Sequence, residues 1–189
     1  MPSGGIHLCV GKRVADILNI KKSMNFYVGV VSADSWRNST STKIGTHFLS
    51  RVDSLDYNYD LFYRKYLKYM DNEFVIGYLI HLITDKYWYS NNFITSNILE
   101  DQYIDFKRAC SILIHNYDIP RLELPSDLFN PILELDGSGI ISTINYLNGV
   151  NYVSGSTDKF NINELVYYIE KTSYYVVDEI ERLRDEVSL

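Results

Sequence analysis

Apolar residues recur at helical intervals along most of this chain, and the recurrence fails where segments end. From His7 to Leu18, the residues Leu8, Val14 and Leu18, with Ala15 and Ile17, fall at spacings of three and four, which predicts a helix with one buried side. Asn19 and the Lys21-Lys22 pair end it. A second apolar piece, MNFYVGVVSADSW from Met24 to Trp36, gives way to RNSTSTKIGT, a polar cluster read as a loop that delivers His47. Between Leu55 and Met70, the positions Tyr59, Phe62, Tyr63, Tyr66, Leu67 and Met70 keep helical spacing with charges between them, predicting a solvent-facing amphipathic helix. From Glu73 to about Tyr89 the pattern is apolar nearly all round, with Asn72 as candidate cap and Glu73 in the first turn.

The second half continues in the same idiom. Asp101 to His115 predicts a helix with Ile104, Cys110, Leu113 and Ile114 facing inward. Three of the four prolines lie between Pro120 and Pro131, which predicts an irregular connector. Gly139 to Leu147 suits a short helix, followed by a loop to about Ser156. From Asn161 to Val187, Leu165, Ile169, Thr172, Val176, Ile180 and Leu183 repeat at near-heptad spacing opposite a charged face, predicting a long closing helix. No β alternation, internal repeat, GxGxxG or P-loop pattern interrupts the series. The expectation is an all-α, single-domain helical bundle over residues 1–189, with the chemistry concentrated in about residues 1–90.

Length and charge narrow this further. A chain of 189 residues closes one good core, and a net charge of -6 offers no general attraction for duplex nucleic acid or an anionic membrane. The opening MPSGGIHLCVGKRVADIL lacks a leader-like apolar region, and no run of 18 apolar residues occurs, so the chain reads as cytoplasmic, without a transmembrane segment. Cys9 and Cys110 lack metal-type spacing and read as buried free thiols. The 17 tyrosines suit helix walls and cleft rims.

The chemistry lies in a few polar residues set among apolar ones. In GYLIHLITDKYW, residues 77–88, Gly77, His81 and Asp85 form one stripe on a helix that is otherwise buried. Two readings stand: His81 and Asp85 hydrogen-bond each other in the core, or they offer adjacent ligands to zinc or another first-row divalent ion. The missing side chain at Gly77 leaves room for something to approach the stripe. His7, Asp34 and His47 precede the pair. No adjacent His-Asp pair and no Glu-x-x-His occurs on a helix, which excludes HD-type phosphohydrolases and di-iron bundles.

Taken in order, HLCVGKRVA, YVGVVSADSW, THF and GYLIHLITDKYW resemble the bacterial zinc-dependent phospholipase C family, in particular its short cytosolic members. The resemblance covers about residues 1–90 and implies a phospholipase C or P1 nuclease-like fold. It implies that Asp34, His47, His81 and Asp85 hold one zinc, that His7 and Asp85 hold a neighbouring zinc bridged by Asp85, and that Asp34 is also the base for the attacking water. After Asp85 the chain has His115 but none of the family's HxxxE, and the family's N-terminal tryptophan has no counterpart in Met-Pro-Ser, so one or two ions are expected rather than three. Asp101 and Asp105 read as an exposed helix face and His115 as a helix-end residue. The implied substrate is a small phosphoester, phospholipid-like or nucleotide. The rival is a non-catalytic helical module that keeps a structural metal or a His/Asp hydrogen-bond network.

Overall fold

The polar breaks in the apolar pattern are where the helices are capped. Ser3, Ser23, Thr42, Asn58 and Asn72 each turn a side-chain oxygen onto a backbone N–H of the following helix, satisfying donors that would otherwise have no partner. They introduce α1 (Gly4–Ile17), α2 (Met24–Ser32), α3 (Lys43–His47), α4 (Tyr59–Lys65) and α5 (Glu73–Ser90). The second half adds α6 (Glu100–Asn116), α7 (Gly137–Val150) and α8 (Ile162–Val187). The computed structural model describes residues 3–51, 56–91, 100–150 and 153–187. Among them there is no strand, only one antiparallel bridge between Leu49 and Tyr57, so the chain is all α.

The centre of the core is the crossing of α2 and α5. Both helices are buried nearly all round. They approach through glycine: a Cβ on Gly77 would lie 2.5 Å from the Phe26 carbonyl oxygen, and one on Gly29 would strike the Phe74 carbonyl. The space that Gly77 leaves in the sequence is thus filled by the α2 backbone. Around this crossing pack α1, α4 and α7, and α8 closes the bundle against α1, α5 and α6.

Several boundaries differ from the sequence expectation. The first helix starts at Gly4, which makes His7 a buried residue of its opening turns rather than its first residue. The segment to Trp36 is α-helical only to Ser32 and then tightens into a 3-10 turn, Ala33–Asn38. The polar stretch before His47 is not simply a loop, because Thr42 caps α3 within it. The stretch read as Leu55 to Met70 is α4 followed by a 3-10 turn, Leu67–Tyr69, and Tyr59, Phe62, Tyr63 and Tyr66 are all buried; Leu55 lies outside the described residues. The seventh helix is longer than Gly139–Leu147. Ile104 is 57% exposed, because the inward stripe of α6 is Phe106, Ala109, Cys110, Leu113 and Ile114, and Ile104 lies roughly 120° around the helix from Cys110. The heptad positions of α8 are buried as the spacing predicts, and both cysteines are buried free thiols.

Candidate metal centre

Four helical elements deliver the five polar residues. The Tyr78 hydroxyl of α5 donates to the Thr46 carbonyl at 2.5 Å, fastening α3 against α5. Phe48 then takes a left-handed conformation, φ 53°, ending α3 in a turn in which the amides of Phe48 and Leu49 return to the Gly45 and Ile44 carbonyls. His47, last in α3, is thereby aimed inward at α5. The 3-10 turn after α2 supplies Asp34, and α1 supplies His7.

The side chains meet. Nε2 of His7 lies 3.3 Å from Oδ1 of Asp85, while Nε2 of His47 and of His81 lie 3.5 Å and 3.7 Å from Oδ2. Asp34 Oδ1 stands 3.8 Å from Nε2 of His47. The His7 and His81 rings stack with centroids 3.8 Å apart, and His47 meets His81 edge-on. His7, His47, His81 and Asp85 are wholly buried, whereas the Asp34 side chain is 15% exposed and so forms the solvent side of the cluster.

None of these approaches closes a hydrogen bond, and at 3.7 Å the reading of His81 and Asp85 as a hydrogen-bonded core pair fails. Nδ1–H of His81 donates instead to the Val30 carbonyl at 2.8 Å. A carbonyl can only accept, so the neutral ring carries its proton on Nδ1 and its lone pair on Nε2, inside the cluster. His47 likewise places Nδ1 against the Thr46 hydroxyl, 2.9 Å away, and Nε2 toward the cluster. Nε2 of all three histidines, both oxygens of Asp85 and Oδ1 of Asp34 are buried without a hydrogen-bond partner. Such a concentration of unsatisfied polar atoms in a core costs several kcal/mol unless something absent from the protein chain binds them.

Electrostatics point the same way. Burial lowers His7 to about 4 and pushes His47 well below the usual imidazole value; His81 is lowered by burial and then by His7. Burial raises Asp85. At neutral pH the imidazoles are uncharged, so the close His–Asp approaches are not salt bridges but lone pairs and a carboxylate turned toward a common space. Zinc, with bonds of roughly 2.0–2.2 Å to nitrogen and oxygen, places tetrahedral ligands about 3.4 Å apart, which is the spacing found here. A nitrogen-rich donor set suits zinc or a neighbouring first-row ion better than calcium or magnesium. His7, Asp34 and His81 form one group of metal-ligand spacing, and His47, His81 and Asp85 another. Oδ1 of Asp85 faces His7, and Oδ2 faces the other two histidines.

The remaining polar residues singled out by sequence have other roles. Asp105 is buried rather than part of an exposed face: it accepts the Thr157 hydroxyl and the Asp158 and Lys159 amides, tying the turn before α8 to α6. The side chain of Asp101 lies outside the described residues. His115 is exposed in the last turn of α6, where a basic side chain suits the dipole, and belongs to neither metal-type group.

Sequence reasoning missed Tyr57. It is 2% exposed, its ring meets His47 edge-on and stacks on Tyr89 at 5.6 Å, and its hydroxyl faces Asp85 and Tyr89 without a well-formed hydrogen bond to either. Burial, and then Asp85, raise its pKa, so it is a neutral phenol. In the sequence it is one tyrosine among many, and no spacing links it to the cluster. No helix among the described residues is long and apolar enough to cross a membrane. Compared with protein families, with curated proteins and with solved structures, this chain matches none.

Proposed function

We propose that the protein is a metal-dependent phosphoesterase whose centre holds one or two zinc ions through His7, Asp34, His47, His81 and Asp85. One observation carries the reading: buried lone pairs and carboxylate oxygens, none hydrogen-bonded, approach in four His–Asp pairs to 3.3–3.8 Å, the spacing of ligands around a small cation. The motif order supports a phospholipase C-like chemistry and fold. Zinc in such a site supplies Lewis-acid stabilisation of phosphoryl oxygens and an acidified water. Asp34, at the solvent side, takes the proton as water attacks phosphorus; the P–O ester bond breaks, and the departing alkoxide recovers that proton. The Val30 carbonyl holds the His81 ring in its ligating tautomer, as outer partners of zinc-bound histidines do. The walls of α1, α2 and α5 exclude bulk water behind the cluster.

Complete burial of His7, His47, His81 and Asp85 favours a second reading, a structural zinc in a helical module. Elemental analysis and hydrolysis assays separate the two. Purified protein is expected to retain zinc, and His81→Ala and Asp85→Ala to lose it. Phosphomonoester and phosphodiester hydrolysis should fall by at least about a hundredfold on chelation and return with zinc. Metal without turnover on either substrate class would favour the module, and full metal retention by both variants would sink the metal centre.

A further inference from the structure

Asp85 is wholly buried, and neither of its oxygens has a hydrogen-bond partner. A carboxylate offers about four lone-pair sites, so a metal ion on Asp85 leaves room for a donor as well. Tyr57 is placed to be that donor. The Leu49–Tyr57 bridge, with the Asn58 amide donating to the Phe48 carbonyl at 3.2 Å, ties the segment before α4 to the turn after α3. The Tyr57 ring is thereby held between two neighbours of Asp85: it meets His47 edge-on at 6.0 Å and stacks on Tyr89 at 5.6 Å. Nε2 of His47 lies 3.5 Å from Asp85 Oδ2, and Tyr89 follows Asp85 by one turn on the same face of α5. Between them, the buried Tyr57 hydroxyl faces Asp85 and Tyr89 and closes no well-formed hydrogen bond.

Resting on the metal-centre reading but not on the phosphoesterase chemistry, we infer that Tyr57 is a positioning residue: its hydroxyl donates to the Asp85 carboxylate and fixes the orientation in which Asp85 meets the metal. A metal-bound aspartate is deprotonated and can only accept, whereas a neutral phenol keeps a proton to give. Tyr89 is the poorer partner for that proton. It is a second neutral phenol, and a hydrogen bond to an ionised carboxylate is roughly twice as strong as one between neutral groups. The Val30 carbonyl already orients His81 in the same way, so α2 and the segment before α4 would each hold one ligand of α5. Among the protein's own groups the Tyr57 hydroxyl has given up hydration on burial without a well-formed bond in return, so its value lies in the metal-loaded centre.

Tyr57→Phe removes the hydroxyl and keeps the ring, and Tyr89→Phe is its control. Zinc affinity, measured by competition with a chromophoric chelator, is expected to fall about tenfold or more in Tyr57→Phe and to stay at the wild-type value in Tyr89→Phe. The visible spectrum of the cobalt-loaded protein, which reports ligand geometry, should shift in Tyr57→Phe and not in Tyr89→Phe. Melted without metal, Tyr57→Phe should be as stable as the wild type, a result that separates a positioning role from a structural one. Unchanged zinc affinity and an unchanged cobalt spectrum in Tyr57→Phe overturn the inference and leave the metal centre standing. A metal-free Tyr57→Phe that unfolds or melts earlier also overturns it, by making the hydroxyl part of the fold. An equal loss of affinity in Tyr89→Phe overturns it too, by making the stacked pair the unit that acts. A wild-type protein that takes up neither zinc nor cobalt overturns the metal centre and the inference together.

Discussion

At Nε2 of His81 a lone pair is presented to a cluster in which no other group donates to it, because the ring's only proton is committed to the Val30 carbonyl. This commitment has a consequence for acid stability. An unfolded histidine titrates near 6.5, whereas His7 stays neutral down to about 4 and His47 and His81 are also held low. As pH falls below 6.5 the unfolded chain gains protons that the native state refuses, so stability drops. Asp85 acts in the opposite sense, since its raised pKa lets the native state keep a proton that the unfolded chain has released, but three imidazoles outweigh one carboxyl. Thermal melts of the metal-free protein should therefore fall between about pH 6.5 and 4, and the stabilisation given by added zinc should vanish over the same interval. A melting temperature flat across that range would contradict the neutral, buried state of these rings. At this scale the sequence was informative about residue types and poor about partners: His81 and Asp85 were visible as misfits in an apolar helix, but only folding showed that they do not bond each other.

At the scale of elements, the metal centre depends on how closely α2 and α5 cross. Gly77 and Gly29 let each backbone touch the other, and that contact brings the Val30 carbonyl to His81. Alanine in place of glycine inside a helix ordinarily gains roughly 0.5–1 kcal/mol of propensity. At Gly77 the added carbon meets backbone at 2.5 Å, and backbone cannot rotate away. The clash dominates, so Gly77→Ala should cost about 2–3 kcal/mol in denaturant unfolding and weaken zinc binding with it. Unchanged stability would mean that the helices do not cross here. The short helix α3 shows the converse limit of pattern reading. Its five residues, KIGTH, carry no apolar period, and it exists because Thr42 caps it, the turn at Phe48 closes it and Tyr78 holds it.

Across the whole molecule, the two halves divide the work. Residues of α1, α3, α5 and the 3-10 turn after α2 carry the cluster, while α8 supplies cover. Its buried stripe of Leu165, Ile169, Val176, Ile180 and Leu183 packs on α1, α5 and α6, and no residue of α8 belongs to either metal-type group. Ile180→Ala should thus lower stability by about 2–5 kcal/mol in a denaturant titration and leave zinc content per folded molecule unchanged. Loss of zinc without loss of stability would reverse that assignment.

Taken alone, the sequence determined the helical class, the Asn72 cap and the buried stripe of α8, and it marked His81 and Asp85 as polar misfits in an apolar helix. These follow from periodicity, from side chains that bond their own backbone, and from the rarity of charge in apolar runs, all of which are local. Tertiary structure decided the rest. It set the helix boundaries around Asp34 and His47, turned Ile104 outward, buried Asp105 under the turn before α8 and brought Tyr57 against His47. The physical reason is common to them all: each depends on contacts between segments distant in the chain, and such contacts leave no period in the sequence for a reader to find.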